Sequence, residues 1–251
     1  TGWKLDEEHG IIYIQKQKYR YSHSRNIDGK IKLVTIKRDT LGDLYIYFVC
    51  ELSDKEIKSR TGKSVGFDFG FKENMLVAEN KEDDIKAPRF FKKMKTKIAK
   101  ANLNLSSKKL KSNNQKRARL ELVRLYRKIT NQRNDYHWKL AKYLCKKYSI
   151  ICLENLNMKW MQRNHGKKVM DYGFGEFLRI LEYVAPQFNT KIVRVDKFYP
   201  SSQLCHESGY QNTEVKDLSV SEWTCPSCGH HWDRDRNAAR NIHNEGLKMI
   251  S

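Results

Sequence analysis

The chain has 251 residues, 39% of them hydrophobic, and its 49 Lys or Arg against 29 Asp or Glu give a formal net charge of +20. That length buries one sizeable core plus a small appendage, and the positive excess points to a polyanionic partner. No apolar run of eighteen residues and no signal peptide is found, so no membrane span and a cytoplasmic location are expected, while six cysteines suit metal binding in a reducing compartment better than a disulfide framework.

The first residue is Thr1, so either a fragment or a trimmed product is expected. Up to about Gly62 the pattern is strand-like: Gly10 to Gln15, Ile31 to Lys37 and Leu44 to Leu52 are rich in β-branched and aromatic residues. The turns Asp28-Gly29 and Leu41-Gly42-Asp43 separate them, which predicts an antiparallel meander or small barrel. Ser64 to Gly70 is a strand with Asp68 in the middle of an apolar run. A buried Asp asks for a partner, a metal ion being one, although Gly66 and Gly70 also suit a hairpin turn. Asn74 to Glu79 continues as a second strand.

From Arg89 to Tyr148 the chain reads as two basic helices broken near Ser112-Asn113-Asn114. Twenty Lys or Arg face only Glu121 and Asp135 there, a segment charge of +18. Apolar residues recur at helical intervals, as in Ala118, Leu122, Leu125 and Ile129. One face is expected to pack and the other to meet a phosphate backbone without reading bases. Tyr148 to Leu156 then reads as a buried strand ending near Glu154, where functional groups of such sheets sit, though that Glu alone is also compatible with an incidental position. Gly175 to Phe188 is an amphipathic helix, and Lys191 to Asp196 is another strand.

The last stretch carries two chemistries in a few residues. Cys225-Pro-Ser-Cys228-Gly229 sets two thiolates in one tight turn, as zinc knuckles do. Upstream lies Cys205-His206-Glu207-Ser208-Gly209, a second knuckle with Ser208 in the fourth ligand position and sixteen residues between Ser208 and Cys225. A Ser hydroxyl is a poor zinc ligand at neutral pH, so His206, His230 or His231 completes the site, or the site is weakened; His206 stands as the candidate beside Cys205, Cys225 and Cys228. Asp233 and Asp235 precede a helix expected from Ala238 to about Lys248, which Gly246 loosens near its end. Either carboxylate suits a helix cap. Brought to one end of a mixed sheet, three carboxylates repel unless cations sit among them, the constellation of a two-metal phosphodiester hydrolase using Mg²⁺ or Mn²⁺.

Four motifs together closely resemble the TnpB (OrfB) proteins of insertion sequences, relatives of the type V CRISPR effectors: Gly66-Phe-Asp68-Phe-Gly70, Leu153-Glu154-Asn155-Leu156, Tyr199 to Cys205 and Asp233 to Ile242. The resemblance runs from about residue 30 to the end. It implies an α/β, RNase H-like (RuvC-like) nuclease domain with Asp68, Glu154 and Asp235 in the catalytic and Mg²⁺-binding positions. It further implies a zinc-ribbon insert that binds target nucleic acid, and a small antiparallel β domain, a wedge-like barrel, at the N-terminus. The domain boundaries expected on this basis are 1–62 for the β domain, 63–198 with 231–251 for the nuclease, 89–148 for its basic helical hairpin and 199–230 for the ribbon. The implied activity is RNA-guided cleavage of double-stranded DNA, with a guide from the element's own end.

Family members also carry a helical recognition domain inserted in the barrel, and the 65 residues before Gly66 leave no room for it, so a shortened N-terminus is expected. The alternative from the binding class is a nuclease-silent or domesticated derivative that holds RNA and DNA as a repressor or tether. A transposase that joins DNA ends with the same carboxylates is a third reading.

Overall fold

The computed structural model describes residues 2–22, 26–51, 62–155, 171–217 and 219–251. The chain forms two compact units, 1–56 and 57–251. Leu52 and Leu156, named above as strand ends, lie outside the described residues.

In the first unit β1 (Trp3–Asp6), β2 (Ile11–Ile14) and β3 (Gln17–Arg20) form an antiparallel meander with β2 in the centre. Ile11 and Ile12 are buried, while every residue of β3 is exposed, which is why its polar sequence gave no strand signal. A separate hairpin pairs β4 (Lys30–Arg38) with β5 (Leu44–Glu51). Its turn is closed by Asp39, whose Oδ1 accepts from the Leu41 and Asp43 amides at 2.9 Å each. The expected single meander or barrel is thus two antiparallel sheets among the described residues, because β3 and β4 do not pair across Asp28-Gly29.

The second unit is built on a five-stranded mixed sheet in the order β10-β9-β6-β7-β8. β7 (Asn74–Ala78) pairs antiparallel with both β6 (Ser64–Phe69) and β8 (Ile85–Lys86), and β9 (Ile150–Glu154) and β10 (Lys191–Val195) extend the sheet parallel to β6. Alternation along each strand separates two faces. Val65, Phe67, Phe69, Ile151 and Leu153 join one core with α2 (Asn113–Lys147) and α3 (Phe174–Val184). Cys152, Val193 and Val195 face the other way, onto Ile242 of α4 (Arg234–Lys248).

α4 comes very close to the sheet. A Cβ on Gly66 would lie 2.4 Å from the Ala239 carbonyl oxygen, and one on Gly246 would lie 2.4 Å from Cys152 Sγ. Gly246 therefore seats the helix on β9 and does not loosen its end, since any side chain there would push the two apart. The helix also starts four residues earlier than expected, because Asp233 caps it and Arg234 to Asn237 already form its first turn.

α1 (Phe90–Ser106) and α2 form the basic hairpin, with Ile98, Ala101, Ala118 and Ile129 buried. Ser112 caps α2 by accepting from the Gln115 amide at 3.1 Å, so Asn113 and Asn114 lie inside the helix. The buried Asp171 accepts from the Phe91 and Lys92 amides at 2.8 and 3.2 Å, placing a carboxylate at the N-terminus of α1. No described helix is long and apolar enough to cross a membrane.

Candidate metal centres

Asp68 lies one residue before the end of β6, and Glu154 is the last residue of β9. Those strands are parallel neighbours in the register Gly66↔Cys152 and Phe67↔Leu153, which carries Asp68 alongside Glu154. Both side chains share the sheet face of Gly66 and Cys152, the face that α4 covers. Asp235 approaches from the first turn of α4. Burial first, then the negative charges of Asp235 and Glu154, hold the Asp68 carboxyl well above the usual carboxylate range, and the Phe69 amide and Arg234 offset only part of this. Burial raises Glu154 as well. The strand and helix geometry therefore brings Asp68, Glu154 and Asp235 to one place.

Of the two aspartates ahead of Asn237, Asp233 uses its carboxylate as a cap, accepting from the Arg236 amide at 2.9 Å. Asp235 instead accepts at Oδ1 from Arg234 Nε and Nη2, each at 3.2 Å.

The two knuckles are built alike. In the first, the Gly209 amide donates to Cys205 O and the Cys205 amide to Tyr210 O; in the second, Gly229 donates to Cys225 O and Cys225 to His230 O, all at 2.8–2.9 Å. Ser208 thus stands where Cys228 stands in the second turn. β11 (Glu222–Thr224) and β12 (His231–Asp233) pair across the second knuckle. Trp223, Trp232 and Val215 form a small core with Cys205 and Cys225.

Ligand atoms of Cys205, Cys225 and Cys228 all lie within 4.8 Å of one another, the one such group of three among the described residues. The three carboxylates do not all lie within that distance of one another. Ser208 Oγ is 3.3 Å from Cys225 Sγ. Burial pushes the Cys205 thiol up, but hydrogen bonds from Ser208 and Trp232 outweigh it and bring it down to about 6, so the thiolate is favoured at neutral pH.

No described histidine, His206 included, lies within 4.8 Å of all three sulfurs. His206 Nδ1 faces Asn241 Oδ1 at 3.2 Å and its amide donates to Asn237 Oδ1 at 3.0 Å. His230 lies against the Trp232 ring, with centroids 4.1 Å apart, and His231 Nδ1 pairs with Thr224 Oγ1.

Comparison with known proteins fits this arrangement. Residues 47–165 match the OrfB family model described as "Probable transposase", and residues 174–242 match the model "Cas12f1-like, TNB domain". A Streptomyces pristinaespiralis protein named "Putative RNA-guided DNA endonuclease" is 32% identical over 216 residues, covering 85% of this chain and 52% of that protein. TnpB-like protein L79 of Acanthamoeba polyphaga mimivirus is 29% identical over 232 residues, covering 86% of this chain and 44% of that protein. The chain is a relative of the TnpB (OrfB) proteins. It spans about half the length of these curated relatives. Among solved structures, a CRISPR-Cas12f ternary complex superposes with a TM-score of 0.55 at 19% identity, covering 84% of this chain and 45% of that one. A Cas12f1–sgRNA–target DNA complex gives 0.52 at 18%, covering 84% and 55%. These two likenesses concern the fold.

Several residues that position the two centres of this TnpB relative carry no sequence signal of their own. Asn237 and Asn241, one helical turn apart on α4, donate to Leu204 O at 2.7 Å each, and Asn241 donates also to Ser201 O at 2.8 Å, tying the first knuckle to the helix. Arg236 holds the other side, donating to Ala78 O at 3.0 Å and pairing with the part-buried Asp84 at 2.9 Å. The sequence offers the i, i+4 spacing of the two asparagines and their place within the Asp233 to Ile242 motif, but not their partners.

The donor sets fit their expected ions to different degrees. Three carboxylates held together against their own repulsion are hard donors that suit a divalent cation such as Mg²⁺ or Mn²⁺. Three cysteine sulfurs and a hydroxyl supply four positions for Zn²⁺, one sulfur short of a full cysteine set.

Proposed function

We propose that this chain is the nuclease part of an RNA-guided DNA endonuclease of TnpB type, with a RuvC-like domain of RNase H fold in which Asp68, Glu154 and Asp235 hold divalent cations. The observation that carries this reading is the placement of three acidic side chains on the α4 face of the sheet, where Asp68 feels the charge of both others. A pure binding module gains nothing from that arrangement, which raises the energy of the folded state until cations enter. The nuclease domain comprises residues 63–198 and 234–251, and residues 199–233 form a zinc-ribbon insert held by Cys205, Cys225, Cys228 and Ser208.

Divalent ions at the three carboxylates supply water activation and stabilisation of the leaving 3′ oxygen. The chain's own residues prepare the place. β6 and β9 fix Asp68 and Glu154 side by side, α4 brings Asp235, and Arg234 restrains one oxygen of Asp235. The α1–α2 hairpin supplies phosphate contacts, with Lys116, Arg117, Arg119, Arg124 and Lys128 all exposed. Guide RNA from the element's end and double-stranded DNA are the partners.

The test is cleavage of labelled DNA by the protein co-expressed with RNA from its own locus, in Mg²⁺ or EDTA, with Asp68→Ala as control. Guide-dependent cleavage that needs Mg²⁺ and Asp68 is expected. Binding of RNA and DNA without cutting, in the unsubstituted protein, would replace the nuclease by a nuclease-silent repressor or tether, a reading favoured by the serine at the fourth knuckle position.

A further inference from the structure

Arg234 stands between the two centres. Its side chain is 13% exposed, and the guanidinium divides its donors between them. Nε and Nη2 reach Asp235 Oδ1 at 3.2 Å each, while Nη1 reaches Val220 O at 3.1 Å and Asp217 O at 3.4 Å. The Arg234 amide donates to Ser221 O at 2.9 Å. The planar fork of an arginine can serve both sides at once, which a lysine ammonium cannot.

The carbonyls that Arg234 grips belong to the knuckle. Asp217 follows the 3₁₀ turn Thr213–Lys216, whose Val215 is buried in the knuckle core, and Val220 packs against that core just before β11. That core has five buried residues, two of them the proposed zinc ligands Cys205 and Cys225. A module this small draws most of its folding free energy from its metal. When the knuckle holds its ion, the two carbonyls stay in place and Arg234 holds Asp235 Oδ1, leaving Oδ2 for a cation. When it does not, the carbonyl grip is lost and Asp235 is free to turn.

We infer that Arg234 is a positioning residue that couples the cysteine knuckle to the carboxylate centre, so that the affinity of Asp68, Glu154 and Asp235 for a divalent cation depends on metal in the knuckle. This rests on the proposed reading of those carboxylates as a cation site. The functional consequence is that the chain assembles a competent cation site only after the ribbon has folded.

The experiment is titration of the full chain, stripped of metal, with Mn²⁺ followed by electron paramagnetic resonance, with and without one equivalent of Zn²⁺. Zinc should tighten Mn²⁺ binding by roughly tenfold, the size of effect that outer-sphere partners have on metal affinity. Cys225→Ser should bind Mn²⁺ as the zinc-free protein does. Arg234→Lys keeps a cation beside Asp235 but not the double grip, and its Mn²⁺ affinity should no longer respond to zinc. Equal Mn²⁺ affinity with and without zinc, or a full zinc response in Arg234→Lys, overturns the coupling. Asp68→Ala should abolish the Mn²⁺ signal of bound ion; Mn²⁺ binding indifferent to it would overturn the carboxylate reading itself, and the coupling with it.

Discussion

Gly66 and Ala239 are in near-contact, a Cβ on Gly66 falling 2.4 Å from the Ala239 carbonyl oxygen and 2.6 Å from His243 Cβ. This contact sets how closely α4, which carries Asp235, approaches the strand that carries Asp68. Both neighbours are fixed, one a helix backbone and the other the root of a side chain, so Gly66→Ala must displace the helix. A loss on the order of 2–3 kcal/mol in urea unfolding is expected, as for overpacked cores. Unchanged stability would show that α4 has room to move.

His137 gives the protein an acid-sensitive core. The ring is fully buried, its Nε2 donates to Tyr172 O at 2.8 Å, and Nδ1 has no hydrogen-bond partner among the described residues. Burial, aided by the charge of Arg133, depresses its pKa from 6.5 to about 4. The unfolded chain therefore takes up the proton first on acidification. Stability should be intact above about pH 6.5 and fall progressively as pH drops to about 4, by about 3 kcal/mol in all. Denaturant unfolding from pH 7 to 4.5 would measure this, and His137→Leu should remove that part of the slope whatever its effect on absolute stability.

Ser208 occupies a turn position equivalent to that of Cys228, 3.3 Å from Cys225 Sγ. Ser208→Cys supplies the fourth thiolate without changing the turn. Zinc affinity, measured by competition with a chromophoric chelator, should rise by roughly a hundredfold, about 3 kcal/mol of the 10 or more that a structural zinc site contributes. His206→Ala should leave it unchanged, since His206 is engaged by Asn241.

The exposed cations of α2 should set the salt dependence of nucleic-acid binding. Replacing Arg117, Arg124 and Lys128 by Ala should weaken binding to all sequences alike and reduce the slope of log K against log salt by about 2–3. A change in sequence preference would point to base contacts instead.

How much of this was legible differs from element to element. The strands Ser64–Phe69, Ile150–Glu154 and Lys191–Val195 and the helical hairpin could be read off, because apolar periods of two and 3.6 reflect backbone geometry over a few residues. β1 and β3 could not: unlike the equally short but apolar β2, each is half or more polar and neither has a buried residue. The start of α4 was misplaced because capping by Asp233 and a charged first turn look, in sequence, like a loop ahead of a helix.

By itself, the sequence determined local geometry and local chemistry: two knuckles with their Cys and Ser, an Asp within an apolar strand, a Glu at a strand end, and a segment with a charge of +18. Tertiary structure alone decided which groups meet. It placed Asp68, Glu154 and Asp235 on one face, engaged Asp233 as a cap, turned His206 toward Asn241 and put Arg234 between two centres. The physical reason is that a polar side chain takes the partner that strand register and helix packing bring to it, and those are set by residues far apart in the chain.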